Sequence, residues 1–382
     1  KEDQDYDDYN KLLKKAHRSI SRNIRGFCKD FGENSQNEIA VDLTAGQDSR
    51  CVLSYMLTQT PRAFRKRIKG RCLRSYPNPD ANVAACLMEK FNIPVATVPT
   101  TNLPLEAGVR QNAMLFGGCR DAAFSVPPMF TTEYAHVGGF FGEIAGAFPN
   151  KDVINITSSN KEDVDLFLQR QRKITRNLDI IKEHVLFEHI RPKLIAMYND
   201  LEASGTAKDH MMSESYLQCR CRSHFGLNSF IQNKFKIQPE FLANTWLVKA
   251  RRLLPANLHS KNKILFDLIV KMNRDERLVF MPMDKKWDPS IVPKQLSKML
   301  KQQLLVKNTT RQLSNCYGNR LLFTGDMEPV KDLPELICKK DKSGVSEKNL
   351  SGTFKKMWVY KKLWEFALEN YDASHDAWKN GF

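Results

Sequence analysis

One short segment combines the residue types that bind phosphate and a metal ion. From Val41 to Arg50 the chain reads Val-Asp-Leu-Thr-Ala-Gly-Gln-Asp-Ser-Arg. Small residues at positions 44–46 let the backbone approach a ligand, and a helix predicted to open on Asp48 offers unpaired N–H groups. The side chains of Thr44 and Ser49 add hydroxyl donors. The segment therefore predicts an anion cradle.

Two residues of this segment carry charge and can be interpreted in more than one way. A carboxylate at Asp48 would repel phosphate unless a cation lay between them, which indicates a Mg²⁺ ligand. Taken alone, Asp48 is better explained as a simple helix N-cap. Arg50, one turn into the helix, is either a phosphate contact or a surface residue, and the sequence favours neither.

A second glycine-rich loop follows a later predicted strand. The stretch Tyr134–Gly138 reads as a strand that runs into Gly138-Gly-Phe-Phe-Gly-Glu-Ile-Ala-Gly. Its glycines at 138 and 139 are candidate nucleotide contacts, because the ligand edge of a parallel sheet collects the strand ends. His136 lies beside them as a candidate nucleotide or substrate contact, although a core histidine with satisfied hydrogen bonds is the favoured interpretation.

Strands alternating with helices place both loops in one sheet. We predict strands at 38–43, within 67–75, at 94–99 and at 134–138, with helices at 48–57 and 79–91 between them. This order predicts an α/β fold with a doubly wound parallel sheet, followed by a mainly helical C-terminal half. The predicted organisation is an N-terminal amphipathic helix packing on the core (1–30), an α/β nucleotide-binding domain (31–155) and a helical substrate-side region (156–382).

The loop resembles a known family. Leu43-Thr-Ala-Gly-Gln-Asp-Ser-Arg is similar to the S-G-G-x-D-S pyrophosphate loop of ATP-pyrophosphatases with a HUP-like fold, in the form found in asparagine-synthetase-like proteins. Pro79-Asp-Ala, Gly142-Glu-Ile-Ala-Gly-Ala-Phe and a block from Gln238 to Pro282 resemble further family motifs in the same order. The similarity spans roughly residues 10–290.

The resemblance implies a set of site residues. The family's metal-binding aspartate falls on Gly142 and another of its acidic positions falls near Gly139, so Asp48 and Glu143 are the implied catalytic and metal-binding carboxylates. The family's catalytic lysine has no clear counterpart, and Arg220 and Arg222 lie in its neighbourhood as the implied catalytic cations that stabilise charge on the adenylate. A salt bridge on a helix face is the more common use of either arginine. The implied nucleotide contacts are Leu43, Thr44, Ala45, Gly46, Ser49, Arg50, Leu73, Ser75, Gly138 and Gly139.

The resemblance also implies an activity. The chain is expected to be an AMP-forming ligase that uses ATP and Mg²⁺ to adenylate a carboxylate, on a small molecule or a peptide, and then to form an amide. The nitrogen donor is expected from a glutaminase, upstream or separate, or from another amine source. A tRNA-modifying ATP-pyrophosphatase is one alternative, and a degenerate nucleotide-binding or ATP-consuming, toxin-like domain is another.

Composition restricts the class of protein. The chain has 382 residues with 42% hydrophobic residues, which is typical of a globular protein with a sizeable core. Its net charge of +16 favours polyanions, so nucleic acid is a secondary candidate partner. The nine cysteines lack metal-type spacing, which predicts reduced thiols. The sequence contains no apolar run long enough to predict a membrane span. A cytoplasmic location is therefore expected.

Overall fold

A computed structural model gives the fold of the chain. It describes residues 2–31, 37–72, 79–96, 131–145, 191–218, 236–259, 261–281 and 286–303, together with residues 164–166, 168, 221, 226, 229, 233 and 283. The predicted sites at Leu73, Ser75, Arg220 and Arg222 lie outside these residues.

The N-terminal helix α1 spans Glu2–Phe31 and is amphipathic, as its spacing predicts. Apolar side chains recur every three or four residues, which places them on one face of a helix. The buried set comprises Tyr9, Leu13, Ala16, Ile20, Ile24 and Cys28. This face packs against α7 (Thr245–Leu253) and α2 (Gln47–Gln59), so α1 is part of the core.

A parallel sheet forms the centre of the described fold. Its strands are β1 (Glu38–Asp42), β2 (Ile68–Arg71), β3 (Thr131–Val137) and β4 (Lys236–Ile237), in the order β2-β1-β3-β4. Ala40 is paired with Lys69 on one side and with His136 on the other. All three pairings are parallel, which confirms an α/β arrangement around a parallel sheet.

The predicted strand at 94–99 is represented in the described residues by a single parallel bridge. Val95 pairs with Gly70 of β2, where the Gly70 amide donates to the Pro94 carbonyl at 2.7 Å and the Ala96 amide to the Gly70 carbonyl at 2.8 Å. Extended backbone therefore lies beyond β2, at the edge opposite β4. Residues 97–99 lie outside the described part.

Helices follow the strands as the alternating pattern predicts. Besides α1, α2 and α7, the α-helices are α3 (Pro79–Phe91), α4 (Gly142–Ala145), α5 (Arg191–Ala203), α6 (Met211–Ser215), α8 (Ala256–His259), α9 (Lys263–Asp267), α10 (Glu276–Val279) and α11 (Ser297–Gln302). A π-helix, Leu268–Met272, continues α9. Short 3₁₀ helices occupy Arg62–Arg67, Lys208–His210, Pro289–Ile291 and Lys294–Leu296. Within the described ranges, no helix has both the length and the apolar character needed to cross a bilayer.

The contacts divide the chain into two compact units. The first contains residues 1–100, 130–150 and 232–324, and the second contains 101–129, 151–231 and 325–382. In the described parts, the first unit holds the whole sheet together with α1–α4 and α7–α11. The second holds α5 and α6, which pack with Val164 and Leu168 around Tyr198 and Leu201. Helices after residue 236 contact α1, α2 and α4 of the first unit.

Candidate functional site

Two loops meet at the carboxyl ends of β1 and β3. The two strands are adjacent and parallel, while β2 lies outside β1 and β4 lies outside β3. In open parallel sheets, the crevice beyond the carboxyl ends of such a pair is where ligands bind. Residues 43–46 follow β1 and residues 138–141 follow β3, so both loops predicted from the sequence lie at this crevice.

The β1–α2 loop is held by hydrogen bonds among its own small side chains. The hydroxyls of Thr44 and Ser49 lie 2.8 Å apart, and Thr44 Oγ1 accepts the Gly46 amide at 3.1 Å. Ser49 Oγ also donates to the Gly46 carbonyl at 3.3 Å. Two hydroxyl groups therefore sit together at the start of α2, as the anion cradle requires.

The first turn of α2 has no side-chain cap in the part of the chain that the structure describes. Gly46 is its N-cap residue. The amides of the first helical turn, with the positive end of the helix dipole, are a ready binding site for an anion. One loop amide is already used, because the Ala45 N–H donates to Asp80 Oδ1 of α3 at 2.8 Å. Asp80 therefore fixes the loop from outside, and no role for it was predicted beyond its place in a motif.

Asp48 and Glu143 lie close enough to repel each other. Burial, and secondarily the Glu143 carboxylate, raise the pKa of Asp48 to about 8. Within the described part of the chain, the Asp48 carboxylate makes no hydrogen bond, and no cluster of three or more His, Cys, Asp or Glu side chains could hold a metal. Two carboxylates suit Mg²⁺, which prefers oxygen ligands and usually keeps waters and substrate phosphates as the others. The residues therefore fit a Mg²⁺ that arrives with a nucleotide.

The glycines of the β3–α4 loop are required by close approach to α2. A Cβ atom at Gly142 would lie 2.3 Å from Cγ of Asp48, and one at Gly139 would lie 2.8 Å from the Ser49 amide nitrogen. Both distances are shorter than side-chain atoms tolerate. This contact explains why glycine occupies the two positions where the resembling family carries acidic residues: the loop lies directly against the start of α2.

The same turn holds one residue in a strained conformation. The Gly142 amide donates to the Gly139 carbonyl at 3.0 Å, which closes the turn. Phe141 has a φ of +64°, in the left-handed region that non-glycine residues rarely adopt. Such conformations persist where the surrounding structure requires them and concentrate at functional sites. The turn therefore delivers Glu143 to α2 at a conformational cost.

His136 lies in a buried chain of polar groups. Its Nε2 is 2.5 Å from Asp42 Oδ2, and its Nδ1 is 3.1 Å from Gln238 Oε1. The Gln238 amide is oriented by donating Nε2–H to Glu240 at 2.6 Å, so its oxygen faces the histidine. Both imidazole nitrogens therefore have hydrogen-bond partners within the fold. His136 is 2% exposed, so the structure places it as a core histidine with satisfied hydrogen bonds that joins β1 to β3.

Arg50 points into the protein interior. Its side chain is fully buried, and Nη1 donates to the carbonyls of Leu278 at 3.1 Å and Met281 at 2.8 Å. The surface alternative for this residue is wrong. Its guanidinium ties α2 to the end of α10, which is a structural contact and leaves the phosphate role an unsupported prediction.

Two buried basic residues near the site were not predicted to act there. Arg251 of α7 donates to the carbonyls of Glu143 at 2.9 Å and Ile144 at 3.3 Å, so it holds α4 in place. The Asn262 side chain, on a residue with a φ of +61°, donates a hydrogen bond to Gln47 at the start of α2. The next residue, Lys263, pairs with the Asp267 carboxylate at 2.5 Å. A lysine and an arginine on otherwise apolar helix faces were the only sequence signal for them.

Leu43, Ala45 and Gly138 are buried parts of the two loops, while Thr44, Gly46, Asp48, Gly139 and Glu143 keep partial exposure. These last five are the predicted residues that the structure both brings together and leaves accessible.

The chain matches no protein-family model, and searches of curated proteins and of solved structures find no match. The geometry of the site therefore has to support the functional argument.

Proposed function

We propose that the chain is an ATP-dependent, AMP-forming ligase of the asparagine-synthetase-like type. The proposal rests on one observation. The segment Thr44–Ser49, which includes Asp48, lies next to Glu143 at the crevice beyond the carboxyl ends of β1 and β3. A loop with two hydroxyls and a helix N-terminus that no side chain caps in the described residues suits a departing pyrophosphate. Two adjacent carboxylates suit the Mg²⁺ that accompanies ATP.

The strand order supports a doubly wound, ATP-pyrophosphatase-like fold. Counting the extended backbone at Val95 as the third strand in the chain, the order across the sheet is 3-2-1-4-5. This is the order of doubly wound nucleotide-binding sheets, which bind their ligand where the order reverses. The proposed fold and the proposed ligand therefore require the same crevice.

The proposed reaction has two steps. A carboxylate oxygen of the substrate attacks the α-phosphorus of ATP, pyrophosphate leaves, and an acyl-adenylate forms. An amine nitrogen then attacks the acyl carbon, loses a proton and displaces AMP to give the amide. A bound Mg²⁺ would neutralise phosphate charge, with Asp48 and Glu143 as its protein ligands.

Each described residue has a distinct task in this proposal. Thr44 and the first amides of α2 bind the pyrophosphate group and favour its departure, while the buried Ser49 hydroxyl holds Thr44 in place. Asp80 and Arg251 fix the two loops through their backbone contacts. Arg220 and Arg222 remain the predicted cations for charge on the adenylate.

The test is the release of pyrophosphate and AMP from ATP in the presence of Mg²⁺. We expect the wild type to form both products, with stimulation by the right carboxylate or amine, and Asp48→Ala to lose them. Asp30→Ala, which removes an exposed carboxylate of α1, is the matched control and should keep full activity. Products formed equally by Asp48→Ala would contradict the proposed site.

A nucleotide-binding module without turnover is the second candidate. The observation that favours it is the presence of Gly139 and Gly142 at two positions where the resembling family has acids. Calorimetric binding of Mg²⁺–ATP with no AMP formed, whichever carboxylates, amines, ammonium or tRNA are added, would select this function over the ligase.

Location and nitrogen source are part of the proposal. A reducing compartment such as the cytoplasm is proposed on the cysteine pattern of the sequence, whose nine cysteines lack metal-type spacing. The proposed nitrogen donors are a glutaminase, on the same or another chain, or a free amine.

A further inference from the structure

One face of α1 carries a continuous row of positive charge. Six basic residues follow each other at intervals of three or four along the helix, which places them on one face at about one charge per 5.4 Å turn. We call them the α1 stripe: Lys11, Lys15, Arg18, Arg22, Arg25 and Lys29. All six are exposed, and the row is about 27 Å long.

The charge of the α1 stripe is almost unopposed. From residue 11 to residue 29 the chain contains no aspartate or glutamate. Lys11 pairs with Asp8 at 3.0 Å, and no other member of the stripe has an acidic partner in the part of the chain that the structure describes. A helix that merely faces solvent commonly mixes both signs of charge.

Neighbouring elements extend the same charge. The Arg62–Arg67 helix adds exposed cations beside the end of α1, since Cys28 Sγ lies 3.9 Å from Thr60 Oγ1. Burial raises the pKa of the Cys28 thiol, and the positive charge of Arg67 is close enough to oppose part of that rise. On the other side, Lys249 of α7 and Lys15 each lie 4.9 Å from the ring centre of Trp246. The surface is therefore wider than one helix.

The construction of α1 argues against insertion into a lipid bilayer. Amphipathic helices bind membranes by burying their apolar face among the acyl chains. The apolar face of α1 is already buried against α7 and α2. Only the charged face remains available, on a helix whose position the core fixes.

We propose that the α1 stripe binds the sugar–phosphate backbone of a nucleic-acid duplex. Regularly spaced cations on a rigid rod match a rigid polyanion, and release of its counterions supplies the free energy of binding. The aromatic residues along the surface argue for a duplex and against a single strand. In the described ranges, Phe27, Phe64 and Trp246 are each only partly exposed, cations lie over the last two rings, and Phe27 packs on Phe31 and Phe241, an arrangement that suits stacking with unpaired bases poorly.

The proposal does not depend on ATP chemistry, and its test needs none. We would measure fluorescence anisotropy of labelled DNA and RNA duplexes of about 20 base pairs with the full chain, between about 50 and 200 mM salt. We expect the logarithm of the association constant to fall with the logarithm of salt with a slope of about −5. Both duplexes should bind, because the contact is to phosphates.

The decisive variant neutralises the centre of the stripe. Arg18→Gln, Arg22→Gln and Arg25→Gln together should weaken duplex binding at least about tenfold at the lower salt concentration and reduce the slope by about 3. The matched control changes three exposed lysines near α11, as Lys294→Gln, Lys298→Gln and Lys301→Gln. It removes the same charge and should leave the slope within about 1 of the wild type.

Several results would overturn the proposal. Equal loss of affinity in both triple variants would assign binding to net charge alone. Tighter binding to single strands of the same sequence would contradict the duplex. Binding to vesicles of phosphatidylcholine and phosphatidylserine that requires the stripe, with no binding to either duplex, would assign the surface to a membrane. Circular dichroism of both variants establishes that the fold is retained.

Discussion

Asp48 carries an acid–base property that can be measured without knowing the substrate. An aspartate in an unfolded chain has a pKa of about 3.9. In the fold, burial and the Glu143 carboxylate raise the pKa of Asp48 to about 8. Between these values the folded chain holds a proton that the unfolded chain releases. Stability contributed by this group is therefore full below about pH 4 and is lost as the pH rises towards 8.

The first prediction follows from this loss of stability with rising pH. Asp48→Asn removes the titration, so the variant should gain stability relative to the wild type as the pH rises from about 5 to 8. The measurement is the thermal midpoint of each protein across this range without metal. Asp30→Asn, at an exposed site, should follow the wild type throughout. A constant difference between Asp48→Asn and the wild type would show that the carboxyl group titrates normally.

At the scale of elements, the contact between the β3–α4 loop and α2 decides where the two carboxylates lie. Because a Cβ atom at Gly142 would overlap the Asp48 side chain, we predict that Gly142→Ala destabilises the fold by about 1–3 kcal/mol and separates Asp48 from Glu143. Chemical denaturation measures the first effect. The pH dependence of the thermal midpoint measures the second, since a weaker repulsion shifts the titration of Asp48 downwards.

Gly26 provides the control for this prediction. It lies within α1, and nothing comes within 4 Å of a Cβ atom placed there. Alanine in a helix interior is favoured over glycine, so Gly26→Ala should stabilise the chain by about 0.5–1 kcal/mol. Equal effects of the two alanines would contradict a steric role for Gly142.

Local patterns predicted the elements around the site, but not the contacts between them. The strand–loop–helix at 38–59 follows from a buried run, small residues and helical spacing, which are visible within a few residues of sequence. The left-handed turn at Phe141 has no such signal, because phenylalanine seldom adopts it. Strand β3 begins at Thr131, three residues before the predicted start, because the polar residues Thr131, Thr132 and Glu133 interrupt the apolar pattern.

Long-range packing accounts for the other differences. Arg50 and Arg251 are buried because backbone carbonyls more than 100 residues away in the chain accept hydrogen bonds from them. Arg50 donates to the carbonyl of Leu278, and Arg251 donates to that of Glu143. A spacing rule that treats charge as exposed cannot identify such residues. The predicted parallel sheet needed no such information, since strands alternating with helices are sufficient to indicate it.

At the scale of the whole molecule, Arg50 joins segments that are distant in the chain. We predict that Arg50→Met lowers the free energy of unfolding by about 2 kcal/mol or more, because two buried carbonyls lose their charged donor. Denaturant unfolding measures the loss. Arg277→Met, an exposed arginine of α10, should change stability by less than about 0.5 kcal/mol. An Arg50 variant of normal stability with a raised KM for ATP would instead support the phosphate role.

The packing of α1 on α7 also sets the order in which the protein can assemble. During synthesis α1 leaves the ribosome long before α7, the helix that covers much of its apolar face and ends at Leu253. Until α7 has been synthesised, Leu13, Ile20 and Ile24 therefore lack part of their native cover. A nascent chain stopped near residue 231 should bind chaperones that recognise apolar segments. Folding of the sheet must also await the distant strand β4, which is expected to make it slow.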